Sequence, residues 1–170
     1  AADRLTSGKL RGISPGFILR LATRYPHLTI IVEADGAAGR SLKAPNPTEP
    51  VVPRNTSLVI PVVGLDVLGT EMTEANVFRA QLASGLLRKI LGSRVTAEDI
   101  ANLVTCDNGI ARTSPVYARV TPMINKVDSK RALMKAEGIA ENILAANHRQ
   151  IGRVVLGRLR LPNRTWIVGQ

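Results

Sequence analysis

Two apolar runs in this chain stop abruptly at acidic or amide residues. One is Thr29-Ile30-Ile31-Val32, followed by Glu33-Ala34-Asp35-Gly36. The other runs from Val120 to Ile124 and is followed by Asn125-Lys126-Val127-Asp128. A strand that is apolar on both faces must be covered on both, and a parallel sheet flanked by helices does this. Such a sheet offers ligands whatever stands at the C-terminal tips of its strands. Two tips of this kind constrain the chain to an α/β fold with a polar ligand edge.

The remaining pattern predicts a three-layer arrangement with a mainly parallel sheet. Ser14-Pro15 is a helix start, Ser as N-cap and Pro at the first helical position, and Pro26 stops that helix. Leu28–Val32 is predicted as a buried strand. Positions 35–55 read as loop, because Gly36, Gly39, Pro45, Pro47, Pro50 and Pro53 punctuate them. Further strands are expected over 57–63, 116–124 and 151–156, with Pro122 awkward inside the second of these. Helices are expected over 73–91, with Thr73 as cap and Gly92 as stop. A shorter one spans 96–103, with a Thr96/Asp99 capping box. The last runs from Asp128 or Ser129 to about Asn147. Strand and helix alternate throughout, which argues parallel pairing in a single domain over 1–170.

Composition narrows the function classes. Apolar residues are 45% of the 170, which excludes general disorder, and no run reaches the ~18 apolar residues of a membrane span. One cysteine, Cys106, allows neither an internal disulfide nor a cysteine metal cluster and suits a reducing cytoplasm. The net charge of +10 invites a nucleic-acid reading. Against it, the basic residues are spread along the chain, and two Phe, two Tyr and one Trp are too few for a base-stacking platform. His27 and His148 lack metal-ligand spacing, and Cys106 has no nearby His to activate it.

The chemistry therefore rests on the two strand tips and the loop after the first. Glu33 and Asp35 fall on one side of an extended strand. At a strand tip followed by Gly36 they have the form of a Walker-B site. One carboxylate would reach Mg2+ on a nucleotide and the other would orient an attacking water. Standing alone, Asp35-Gly36 reads more readily as a turn after a strand end. Asn125-Lys126-Val127-Asp128 matches the N-K-x-D motif of GTPases. There the Asp reads the guanine edge, the Lys stem lies along the base and the Asn holds the loop; the bland alternative is a turn with Asp128 as helix cap. Arg40 and Lys43 follow the first tip as candidate phosphate ligands, or as a solvated basic loop. No G-x-x-x-x-G-K-[ST] occurs. Ser7-Gly8-Lys9 lacks the loop and the preceding strand, so a phosphate loop is expected upstream of Ala1.

Together, Val32–Pro45 (V-E-A-D-G-A-A-G-R-S-L-K-A-P), Glu49-Pro-Val-Val-Pro53, Val62–Gly69 and Ile124–Asp128 resemble the YqeC family over about residues 10 to 160. Those proteins are described as accessory proteins of selenium-dependent hydroxylases. The resemblance implies a P-loop NTPase-like fold, similar to that of metallocenter-assembly GTPases, whose phosphate loop precedes these blocks. It also implies Mg2+ and a purine nucleotide, GTP favoured, as cofactors. The implied partner is a molybdenum hydroxylase client or its cofactor machinery. The oligomeric state stays open, with a dimer among the options. The chain departs from the family pattern at Phe78, where a His is expected before Arg79. The leading expectation is a nucleotide-dependent accessory protein for maturation of such hydroxylases. The alternative is a non-hydrolysing module that binds an anionic cofactor or a partner protein through its basic Pro-rich loop.

Overall fold

The computed structural model describes residues 3–4, 10–160 and 165–169; the triplet Ser7-Gly8-Lys9 lies outside them. The chain is a mixed α/β structure. Two short antiparallel strands, β1 (Asp3–Arg4) and β2 (Leu10–Arg11), precede helix α1 (Pro15–Arg24). As expected, the Ser14 hydroxyl caps α1 by accepting from the Phe17 N–H at 3.2 Å.

The main sheet has the order β10-β9-β8-β5. Strands β5 (Val62–Gly64), β8 (Met123–Asn125) and β9 (Arg153–Gly157) are parallel, and β10 (Thr165–Gly169) closes one edge antiparallel to β9. Upstream of β5 and β8 lie β4 (Leu58–Val59) and β7 (Arg119–Val120), which also pair in parallel. The two pairs share one register: Val59 faces Val120, and Val62 faces Met123. Pro61 and Pro122 therefore stand opposite each other, and each removes a ladder donor. This is why the expected strands 57–63 and 116–124 are each split in two. The ladder crosses the gap on the remaining donors: Thr121 N–H to Val59 O at 2.9 Å and Met123 N–H to Pro61 O at 2.8 Å. Pro122 keeps its acceptor role, taking the Val155 N–H at 2.8 Å.

Two expectations are corrected. Leu28–Val32 forms no strand, and most of it faces solvent: Ile31 is 93% exposed and Leu28 53%. An apolar run becomes a buried strand only where a neighbour supplies both ladder partners and cover, and no described strand pairs with it. The expected long helix over 73–91 is also absent. Val77–Phe78 is instead strand β6, parallel to β3 (Leu42–Lys43) inside the supposed loop. Helix α2 is confined to Ala80–Leu87. β-branched and aromatic side chains at 77 and 78 favour the pairing over the helix. Arg79, in the left-handed region, turns the chain from strand to helix.

Helix α3 (Ala97–Thr105) carries the expected Thr96/Asp99 capping box. Helix α4 (Lys130–Ala145) is capped by Ser129, whose hydroxyl accepts from the Ala132 N–H at 3.1 Å. Helix α4 packs on β9 and β10, α3 on α4, and α2 on α3. The sheet face bearing Val63, Ile124 and Leu156 is fully buried, together with Ile139 and Ile143 of α4. On the opposite face Met123 is buried but Val62 is 49% exposed. None of the helices described is long and apolar enough to cross a membrane.

Candidate functional site

Two polar clusters sit at the C-terminal ends of parallel strand pairs, where an open sheet exposes its ligand edge. The first follows β3 and β6. Lys43 ends β3, and its buried ammonium pairs with the Asp35 carboxylate and with Glu49 Oε2 at 2.7 Å, and donates to Gly36 O at 2.8 Å. Arg79 follows β6 and grips Glu49 with two nitrogens, Nη1 to Oε2 at 2.5 Å and Nη2 to Oε1 at 3.1 Å. That two-point fork fits a carboxylate better than a lysine could.

Phe78 stands where the resemblance called for a histidine, and it still serves the cations. The Arg79, Lys43 and Arg40 charges lie 4.7, 5.3 and 6.0 Å from its ring centroid. The negative face of the ring attracts them. Of the five non-glycine residues with positive φ among the described residues, three (Ala38, Arg79 and Lys126) fall in or beside these clusters. Strained backbone gathers where side chains must be aimed.

The second cluster follows β5 and β8. It is a cleft of about 130 Å3 lined by Arg40, Ser41, Asp66, Thr70, Asn76 and Lys126. Lys126 Nζ reaches Ser41 Oγ and Asp66 Oδ2, each at 2.6 Å. Gly64 makes this approach possible: a Cβ there would lie 2.5 Å from Ser41 Oγ and 2.6 Å from Asp66 Oδ1. The segment 40–43 joins the clusters, since Ser41 O accepts the Gly64 N–H at 2.8 Å.

The structure brings Asp35 and Lys43 into direct contact and places Arg40 in the neighbouring cleft with Lys126. Glu33 does not join them; it is exposed, with Oε1 folded toward Gly36. Asn125 holds the loop through its Oδ1, which accepts the Leu159 N–H at 3.0 Å. Asp128 is exposed and has no ion-pair partner among the described residues. Ser41, Asp66 and the Glu49–Arg79 pair belong to the clusters as well, although no local motif assigns them to a site. The E-P and F-R dipeptides marked the last two, but their meeting across 30 positions is tertiary.

Electrostatics differ sharply within the first cluster. The Arg79 hydrogen bonds, with help from Lys43 and against the effect of burial, hold the Glu49 carboxyl at about 2. Burial pushes the Asp35 carboxyl the other way, above its ordinary value, despite Lys43. Burial would also raise Asp66, but Lys126 and Ser41 outweigh it and hold that carboxyl low. Burial pushes the Cys106 thiol up, which suits an inert side chain.

These shifts set a pH dependence. A depressed carboxyl stabilises the fold above its ordinary value, and that stability is lost as pH falls through its folded value. Glu49 therefore contributes fully above its ordinary 4.5 and loses the contribution on the way to about 2. Asp35 has the opposite sign: its contribution is full below its ordinary 3.8 and is lost as pH rises through the folded value. The urea midpoint is expected to fall between about pH 5 and pH 2, and Glu49→Gln is expected to flatten that fall. An unchanged slope in the variant would remove Glu49 from the account.

Among the described residues no three His, Cys, Asp or Glu side chains are grouped to hold a metal by themselves. Asp35 is nonetheless a hard oxygen donor at a strand-pair edge. It suits a magnesium ion that arrives with phosphate oxygens and keeps most of its water.

A family model described as YqeC protein matches residues 1–81. The "Uncharacterized protein YqeC" of Escherichia coli (strain K12) is 30% identical over 123 residues, which cover 72% of this chain and 48% of that protein. The chain thus spans about half the length of that relative. No solved structure matches it. The E-A-D-G…K-A-P…E-P segment that builds the first cluster lies within the matched residues, and the chain belongs to the YqeC family.

Proposed function

We propose that this chain is the nucleotide-binding part of a cytoplasmic accessory protein with a P-loop NTPase-like fold. It takes a purine nucleotide, GTP before ATP, with Mg2+, and serves the maturation of selenium-dependent molybdenum hydroxylases. One observation carries the nucleotide reading. Asp128 stands exposed just beyond the tip of β8, and Ser129, not Asp128, caps α4. The bland role for this carboxylate is therefore taken by its neighbour, which leaves Asp128 free to accept from a guanine edge. Asn125 supports the same reading by tying the loop to Leu159.

Asp35 and Glu33 would hold the magnesium, which when bound neutralises charge developing on the phosphates. Asp35 is kept in place by Lys43; Glu33, exposed on the same loop, is free to turn toward water or metal. Gly36 leaves the backbone open to a phosphate. The alternative, an anion-binding Pro-rich loop, rests on Arg40 alone, because Lys43 is already paired with Asp35 and Glu49.

The test is Asp128→Asn in the native full-length protein with Mg2+ present. Guanine affinity is expected to fall about tenfold or more, and xanthine nucleotides to become preferred, since the amide offers the matching donor. Equal affinity for guanine and adenine nucleotides, with Asp128→Asn silent, would overturn the reading.

A further inference from the structure

We propose that the cleft between Arg40 and Lys126 is a subsite for one phosphate group, and that the Asp66 carboxylate is its built-in competitor. The size of the cleft argues for a small group. Its ~130 Å3 falls well below the ~300–1,000 Å3 of pockets that hold whole cofactors. It matches about four waters at ~30 Å3 each, room within the cleft for a tetrahedral oxyanion.

The donors argue for an anion. Thr70 Oγ1 and Asn76 Nδ2 are already spent on the backbone carbonyls of Val67 and Glu71. Three groups remain: the guanidinium of Arg40, the ammonium of Lys126 and the hydroxyl of Ser41. Arg40 spends Nε on Glu74 O and Nη1 on Ala38 O, and it makes no ion pair among the described residues. Lys126 donates to Asp66 Oδ2 and to Ser41 Oγ, so a carboxylate now sits on the ammonium an oxyanion would use.

Among the described residues Asp66 is the one carboxylate that lines the cleft, set against two cations. An arriving phosphate would take over Lys126 and Ser41 and drive Asp66 outward. Asp66 is free to move there, because its side chain is 57% exposed. The strained φ of +66° at Lys126 fixes where the ammonium enters the cleft. This inference needs no base contact and does not depend on the role proposed for Asp128.

The test titrates inorganic phosphate into the full-length protein by calorimetry, in chloride buffer of fixed ionic strength. Asp66→Asn is expected to tighten phosphate binding about tenfold, because it frees Lys126 and removes the opposing charge. Lys126→Met and Arg40→Gln are each expected to weaken it about tenfold. Both positions are on the rim of the cleft, and unchanged circular dichroism would confirm that each variant folds. Weaker or unchanged binding in Asp66→Asn would overturn the proposal, as would unchanged binding in Lys126→Met. A GTP arm identifies the source of the phosphate. If GTP displaces inorganic phosphate, and Asp66→Asn tightens GTP too, the subsite holds a nucleotide phosphate. If phosphate binds equally well in saturating GTP, it is a separate site for the free ion.

Discussion

Lys43→Met is expected to destabilise the protein by about 3 kcal/mol, the low end of the cost of breaking a buried ion pair, because the ammonium is buried and its two carboxylates are half-buried. Methionine keeps the length and most of the volume of the stem, so the loss is electrostatic rather than a cavity. Asp35 and Glu49 are only 17% and 24% exposed in their side chains, and both lean on the one ammonium. Arg79 would still hold Glu49, so most of the damage should fall on Asp35. Urea unfolding of Lys43→Met beside Asp35→Asn and the double variant tests this. The double variant should recover part of the loss, since the two residues act as one unit. The loss should also shrink in acid, where the Asp35 carboxyl, already raised by burial, takes up a proton. A cost below about 1 kcal/mol would place the pair with ordinary surface ion pairs.

Gly64→Ala is expected to cost about 2–3 kcal/mol and to disable the second cluster at the same time. The added methyl would lie 2.7 Å from Ser41 Cβ, which no side-chain rotation can relieve, as well as against Ser41 Oγ and Asp66 Oδ1. The chain must then move 41 away from 64, which strains the Gly64 N–H to Ser41 O bond and separates the two oxygens, Ser41 Oγ and Asp66 Oδ2, that accept from Lys126. The urea midpoint reads the first effect, and the phosphate titration reads the second. Full stability together with full binding would show that segment 40–43 shifts freely, and it would sever the coupling between the clusters.

Local chemistry was legible wherever a few adjacent residues decide the outcome. Ser14-Pro15, Thr96 to Asp99 and Ser129 start helices because a side-chain oxygen meets a backbone N–H three positions on, a contact written into the spacing. The apolar run into Asn125 is a strand because both its sequence and its neighbours demand burial. Leu28–Val32 is as apolar and has the opposite fate. Burial belongs to a strand and its partner together, and a strand's sequence does not name its partner.

The same limit separates the candidate residues from the site. The sequence by itself determined the α/β character, the helix caps, the polar strand end at Asn125, and the set of charged residues available. Tertiary structure alone decided that Val77–Phe78 pairs with Leu42–Lys43, and with that pairing which charges meet. Coulomb attraction falls off with distance in space, not in sequence. Glu49 and Arg79 are 30 positions apart and touch, as do Ser41 and Lys126 at 85, whereas Glu33, two residues from Asp35, stands outside the network.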